Sequence, residues 1–128
     1  MDFKVTLIQT DIKIGDEKEN FKKTKNFLHK AAEEGTDVAV LPETWLTGFG
    51  KKIFENIDHY AEKEHGEKIH YLEEFAVDND MHLVAGTILE KERDNKVYNN
   101  LYFIDNKGNI GTKYSKMHLY SPGGEHEV

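Results

Sequence analysis

The 128-residue sequence has no cysteine, only two prolines and no long apolar run. Without cysteine, these residues can form no disulfide, thiolate metal site or cysteine nucleophile. No stretch approaches the roughly 20 apolar residues that a membrane-spanning helix needs, so we expect no membrane partner. The opening Met1-Asp2-Phe3-Lys4-Val5 lacks the basic and apolar regions of a signal peptide. We therefore expect a cytoplasmic protein.

Basic residues are also in deficit, with 17 Lys and Arg against 24 Asp and Glu and a net charge of −7. An acidic surface repels phosphate backbones, so we expect no nucleic-acid partner. Hydrophobic residues still make up 38% of the chain and aromatic residues 11%, which is typical of a chain that folds. The length predicts one domain, residues 1–128.

The order of predicted elements favours an α/β fold. Alternating apolar residues predict a strand over residues 3–9, and the apolar run at 38–41 predicts a strand covered on both faces. Between them, Asp16 and Glu19 form a capping-box pattern before a helix. Further on, the pattern predicts helices over 51–63 and 67–79, strands over 82–89, 97–104 and 109–114, and an irregular tail over 115–128.

Two charged residues stand out by position. Glu43 follows the second strand, and in open α/β sheets chemistry tends to lie beyond the carboxyl ends of strands. Partial burial beside Trp45 and Phe49 would suit it to act as a base, although position alone favours the simpler interpretation of a solvated loop acid. Lys116, in a mainly apolar stretch, could stabilise an oxyanion or be an ordinary surface lysine.

The seven histidines suggest no metal centre by spacing. His118 with the Glu125-His126-Glu127 string, and the pair His65 and His70, match no common ligand pattern. Phosphate-binding glycine motifs and the GxSxG elbow are absent as well. We therefore expect neither a metal nor an organic cofactor.

Taken together, the segments resemble the nitrilase, or carbon–nitrogen hydrolase, superfamily. The matching strings, in chain order, are Ile8-Gln9-Thr10-Asp11-Ile12, Gly15-Asp16 with Asn20, Asp37-Val38-Ala39-Val40-Leu41-Pro42-Glu43, Gly48-Phe49, Val84-Ala85-Gly86-Thr87, Tyr98-Asn99-Asn100, Gly108 and Tyr114-Ser115-Lys116-Met117-His118-Leu119. A Leu-Pro-Glu string alone is weak evidence, but its combination with the later Lys116 segment is specific.

The resemblance implies a four-layer α-β-β-α sandwich, of which this chain would be the amino-terminal part. It also implies a Glu–Lys–Cys triad, with Glu43 as general base, Lys116 stabilising the tetrahedral intermediate, and Glu125 as a second glutamate beside the lysine. The strings at 44–49 and 121–126 lean toward the omega-amidase-like branch, which implies a small amide of a dicarboxylic acid as substrate.

This chain departs from the family pattern in having no cysteine. The family's nucleophilic cysteine lies on a later strand, after the segments matched here. We therefore expect an incomplete domain that lacks its carboxy-terminal part and is inactive alone. The alternatives are a non-catalytic module that assembles with a second copy or with a chain supplying the missing half, and an unrelated acidic α/β binding domain. A continuation containing cysteine would separate the first two hypotheses.

Overall fold

A computed structural model describes residues 2–119 and 125. Its helices are α1 (Glu17–Glu33), α2 (Lys51–Phe54), α3 (Ile57–Tyr60) and α4 (Glu67–Asp78). Its strands are β1 (Val5–Leu7), β2 (Val38–Val40), β3 (Glu62–Lys63), β4 (His82–Lys91), β5 (Val97–Ile104) and β6 (Ile110–Ser115). The predicted α/β class is confirmed. No helix among the described residues is both long and apolar enough to cross a bilayer.

The six strands form one mixed sheet in the order β1-β2-β4-β5-β6, with β3 beside the far end of β4. Neighbours are parallel from β1 to β4 and antiparallel from β4 to β6. The helix α1 connects β1 to β2, as the capping pattern predicts: the Asp16 carboxylate accepts a hydrogen bond from the Glu19 N–H at 3.1 Å. The parallel strands therefore end at a common edge, where the Glu43 segment begins.

One face of the sheet carries the core. Leu28 of α1 and Leu72 of α4 are fully buried there, against sheet residues such as Ala39, Leu83 and Ile104. Each of the buried leucine and isoleucine side chains contributes about 1.5–3 kcal/mol by leaving water. Helix and sheet together therefore make two packed layers.

The opposite face of the sheet is open. On β1 the side chains of Val5 and Leu7 are 52% and 75% exposed, and Tyr114 on β6 is 49% exposed. Val38 and Val40, which pair with Val5 and Leu7, are only half-buried. The expectation that the second strand is covered on both faces is wrong for the described residues, because the helices cover one face only.

The predicted single helix over 51–63 is also wrong. The segment forms two one-turn helices and then β3, which pairs with Glu90 and Lys91 at the end of β4. Ile53, Phe54 and Tyr60 pack with Leu89 in a second, smaller apolar cluster. Packing against the end of β4 thus overrides the local helical periodicity.

Candidate active site

Glu43 lies just beyond β2, in a turn fixed by backbone contacts. The Leu41 N–H donates to the Val84 carbonyl at 2.9 Å, and the Thr44 N–H donates to Thr87 Oγ1 at 2.9 Å. Thr44 has a φ of 47°, which turns the chain sharply after Glu43. A Cβ on Gly86 would lie 3.2 Å from the Leu41 carbonyl, so the close approach of β2 and β4 here favours glycine.

Asn20 of α1 holds the rest of this turn through side-chain hydrogen bonds. Its amide Nδ2 donates to the Leu46 carbonyl at 2.8 Å and to the Lys13 carbonyl at 2.7 Å. Trp45 and Leu46 are buried in the core immediately after Glu43. The carboxylate of Glu43 is therefore presented by a rigid turn, although its side chain remains 50% exposed.

Lys116 follows β6 and is aligned by the antiparallel pairing of β5 with β6. Its backbone N–H donates to the Asn99 carbonyl at 2.9 Å, which continues the β5–β6 ladder by one residue. Its ammonium Nζ lies 2.8 Å from Glu43 Oε1 and 2.9 Å from Glu125 Oε2. Lys116 Nζ also lies 5.3 Å from the centre of the Phe49 ring. The three predicted site residues are therefore brought together around one positive charge.

The two carboxylates differ in environment. The side chain of Glu125 is only 3% exposed, whereas that of Glu43 is half exposed. Partial burial alone would lower the pKa of Lys116, but hydrogen bonds and charge from Glu43 and Glu125 outweigh it, so its pKa lies above the usual value. Lys116 is thus kept charged at neutral pH, as a group that stabilises an oxyanion must be.

Asn99 completes the group, and the sequence analysis did not assign it a role. Its Nδ2 donates to Glu43 Oε1 at 3.1 Å and to Glu125 Oε1 at 2.9 Å. Asn99 is 4% exposed, so this buried amide bridges the buried Glu125 and the half-exposed Glu43. Its position in the Tyr98-Asn99-Asn100 string was a signal, but only the strand register shows that it faces Lys116.

An open groove of about 370 Å³ adjoins these residues. Glu43, Asn99 and Lys116 line it together with apolar side chains of the open sheet face, namely Val40, Val84, Leu101 and Tyr114. A base, a fixed cation and an apolar wall at one place could bind a small polar molecule with an apolar portion. The string Ser121-Pro122-Gly123-Gly124 and residues His126 and Glu127 lie outside the described residues.

Comparison with known proteins identifies the family of this chain. The sequence profile of the Carbon-nitrogen hydrolase family matches residues 4–128. The chain belongs to the carbon–nitrogen hydrolase family. It is 33% identical to a 2-oxoglutaramate amidase of Bacillus subtilis over 98% of the chain and 47% of that protein, and 32% identical to human omega-amidase NIT2 over 92% of the chain and 41% of that protein.

Solved structures show the same fold. A CN-hydrolase superfamily protein of Xanthomonas campestris superposes with a TM-score of 0.83 at 24% identity, over 99% of this chain and 45% of the other. Nit3 of Saccharomyces cerevisiae, a nitrilase superfamily member, gives a TM-score of 0.80 at 24% identity, over 96% of this chain and 47% of the other. The chain thus spans about half the length of these relatives.

Proposed function

We propose that this chain supplies the general base and the oxyanion-stabilising ammonium of a thiol amidase that hydrolyses a small amide. The observation that carries the proposal is the contact of Lys116 Nζ with both Glu43 and Glu125. The names of the amidase relatives add a substrate class, the omega-amide of a dicarboxylic acid.

The chemistry assigned to each group follows from its charge. Glu43 takes the proton of a cysteine thiol that lies outside these 128 residues, and the thiolate attacks the amide carbon. Lys116 faces the oxygen on which negative charge develops. Glu43 then returns the proton to the leaving ammonia and removes one from the water that cleaves the thioester. Asn99 and Glu125 hold Glu43 and Lys116 in position.

The proposal implies that the chain alone does not hydrolyse amides, because it contributes no thiol. A chimera tests it: the chain is joined to the part of the Bacillus subtilis amidase outside the match, and ammonia release from 2-oxoglutaramate is measured. We expect the chimera to be active, and Glu43→Gln or Lys116→Met to lower kcat by about 100-fold or more. Glu55→Gln, an exposed acid paired with Lys51, is the control.

Three results would contradict the proposal. The first is ammonia release above the blank by the pure 128-residue chain. The second is a Glu43→Gln chimera as active as its parent, and the third is a folded chimera without activity. The cytoplasmic location expected from the sequence stays a prediction, which fractionation of source cells would check.

The second candidate function is a non-catalytic module that assembles through the open sheet face. The observation in its favour is the exposure of Val5, Leu7 and Tyr114 on that face. Apolar patches of this kind mark interaction sites. The chimera distinguishes the two candidates. If the chain were a purely assembling module, Glu43→Gln and Lys116→Met would leave ammonia release by the chimera unchanged.

A further inference from the structure

A second group of polar side chains lies at the corner between β3 and α4. His65, His70 and Glu73 each offer a ligand atom, and these atoms all lie within 4.8 Å of one another. His65 Nε2 contacts Glu73 Oε1, and His70 Nδ1 lies 3.1 Å from Glu73 Oε2. The two imidazole rings stack with their centres 4.6 Å apart. Two ring nitrogens therefore converge on one carboxylate.

The backbone builds this convergence. His65 has a φ of 50°, and its N–H donates to Oε2 of the buried Glu90 at 2.8 Å. At Gly66 a Cβ would lie 2.9 Å from the Lys63 carbonyl, so only glycine fits the turn that leads into α4. On α4, His70 and Glu73 are three residues apart and share one helix face. The positions of all three side chains are thus set by the fold.

We propose that His65, His70 and Glu73 bind one zinc-like divalent cation, which fastens the residues before α4 to its first turns. Two imidazoles and one carboxylate suit zinc, cobalt or nickel, whereas magnesium and calcium prefer an all-oxygen shell. Ligand atoms of a tetrahedral zinc site lie roughly 3.3 Å apart, given bonds of about 2.0–2.2 Å, so small side-chain rotations close the site.

The cluster is also accessible to an ion from solvent. The side chains of His65 and His70 are 44% and 59% exposed, while that of Glu73 is 17% exposed. Glu73 therefore anchors the site from inside, and water would complete the coordination shell. The spacing of the two histidines gave no such indication, because the left-handed turn at His65 is what brings them together.

The test is titration of the tag-free 128-residue chain with Co²⁺, followed by visible absorption and by competition with Zn²⁺. We expect saturable binding of one Co²⁺ per chain, displaced by Zn²⁺. His70→Ala and Glu73→Gln should each weaken binding by roughly tenfold or more. His59→Ala removes an exposed histidine of α3 outside the cluster and should leave the affinity unchanged.

NMR of the histidine rings in the unmutated chain provides a measurement that does not depend on any variant. On addition of Zn²⁺, the ring nitrogen signals of His65 and His70 should shift together, and more than those of His59. Absence of saturable binding, equal affinities in all four proteins, or shifts confined to other histidines would each overturn the proposal. In those cases the trio is a hydrogen-bonded surface cluster only.

Discussion

Lys116 Nζ lies 2.8 Å from Glu43 Oε1, although 73 residues separate the two in the chain. The carboxylate stands at the end of a parallel strand, and the lysine stands one residue beyond an antiparallel hairpin. The mixed sheet brings these ends to the same place, because β4 is parallel to β2 on one side and antiparallel to β5 on the other. The contact is therefore a product of strand order.

Replacing Lys116 should destabilise the chain, because Glu125 would be left buried without its cation. We expect Lys116→Met to lower the free energy of unfolding by about 1–3 kcal/mol, less than a fully buried pair would cost, since Glu43 is half exposed. Urea unfolding measures this. The control is Lys51→Met, whose partner Glu55 is exposed and whose loss should cost under about 0.5 kcal/mol. Equal losses in the two variants would contradict the prediction.

Asn99→Ala should also weaken the site, since one buried amide donates to both carboxylates. We expect a loss of about 1–3 kcal/mol in the free energy of unfolding, mainly because the buried Glu125 loses a donor that water cannot replace, whereas the half-exposed Glu43 can be solvated. In the active chimera the same change should lower kcat more than it raises KM, as expected for a positioning residue. The matched control is Asn56→Ala, an exposed asparagine that donates to the Lys52 carbonyl. If Asn99→Ala changed neither the free energy of unfolding nor kcat, the hydrogen bonds from Asn99 to the two glutamates would be unimportant.

Alkaline pH should destabilise the chain through Tyr102. Burial, followed by the hydrogen bond to Glu90, raises the pKa of Tyr102 well above its usual value. The stabilisation from its neutral hydroxyl is therefore complete below the unfolded-state pKa of about 10, and it is lost as pH rises above that value. The loss approaches about 1.4 kcal/mol per pH unit for this one group.

The Tyr102→Phe variant tests this linkage. At pH 8 it should be less stable than the parent by about 1–2 kcal/mol, because Glu90 loses a donor. By pH 11 that difference should shrink by about 1 kcal/mol, since the variant has no hydroxyl to ionise there. Urea unfolding from pH 8 to 11 measures both values, with Tyr114→Phe on the open face as control. A constant difference over this range would refute the assignment.

The open sheet face should make the chain self-associate. Leu7 is 75% exposed, and burying such a side chain contributes about 1.5–3 kcal/mol, equivalent to a change in association constant of about tenfold or more. We expect Leu7→Lys to weaken self-association by at least that factor in sedimentation experiments. Phe27→Lys changes an exposed apolar residue of α1, on the helical side, and should have little effect. Equal effects of Leu7→Lys and Phe27→Lys on self-association would show that the chains do not associate through the open sheet face.

Much of the fold was predictable from local pattern. Alternating and continuous apolar runs located the strands, and the Asp16 cap located the start of α1, because these signals depend on neighbours in the chain. The segment at 51–63 was mispredicted, since its short helices and β3 are decided by packing against Leu89 and the end of β4. Glu43 and Lys116 stood out by their positions in the sequence, but the link between them and the choice of Glu125 came from the family resemblance, because periodicity alone does not connect distant residues.

The sequence by itself determined the α/β class, the absence of a thiol from these 128 residues, and the candidate glutamates and lysine of the site. The tertiary structure decided which of them meet. In β6 the register shifts by one residue at Gly111, so that Thr112 pairs with Phe103 while Ile110 pairs with Ile104. A one-residue shift moves every following side chain to the other face of a strand. That bulge sets Lys116 opposite Asn99, because strand pairing depends on contacts between distant residues that no local pattern encodes.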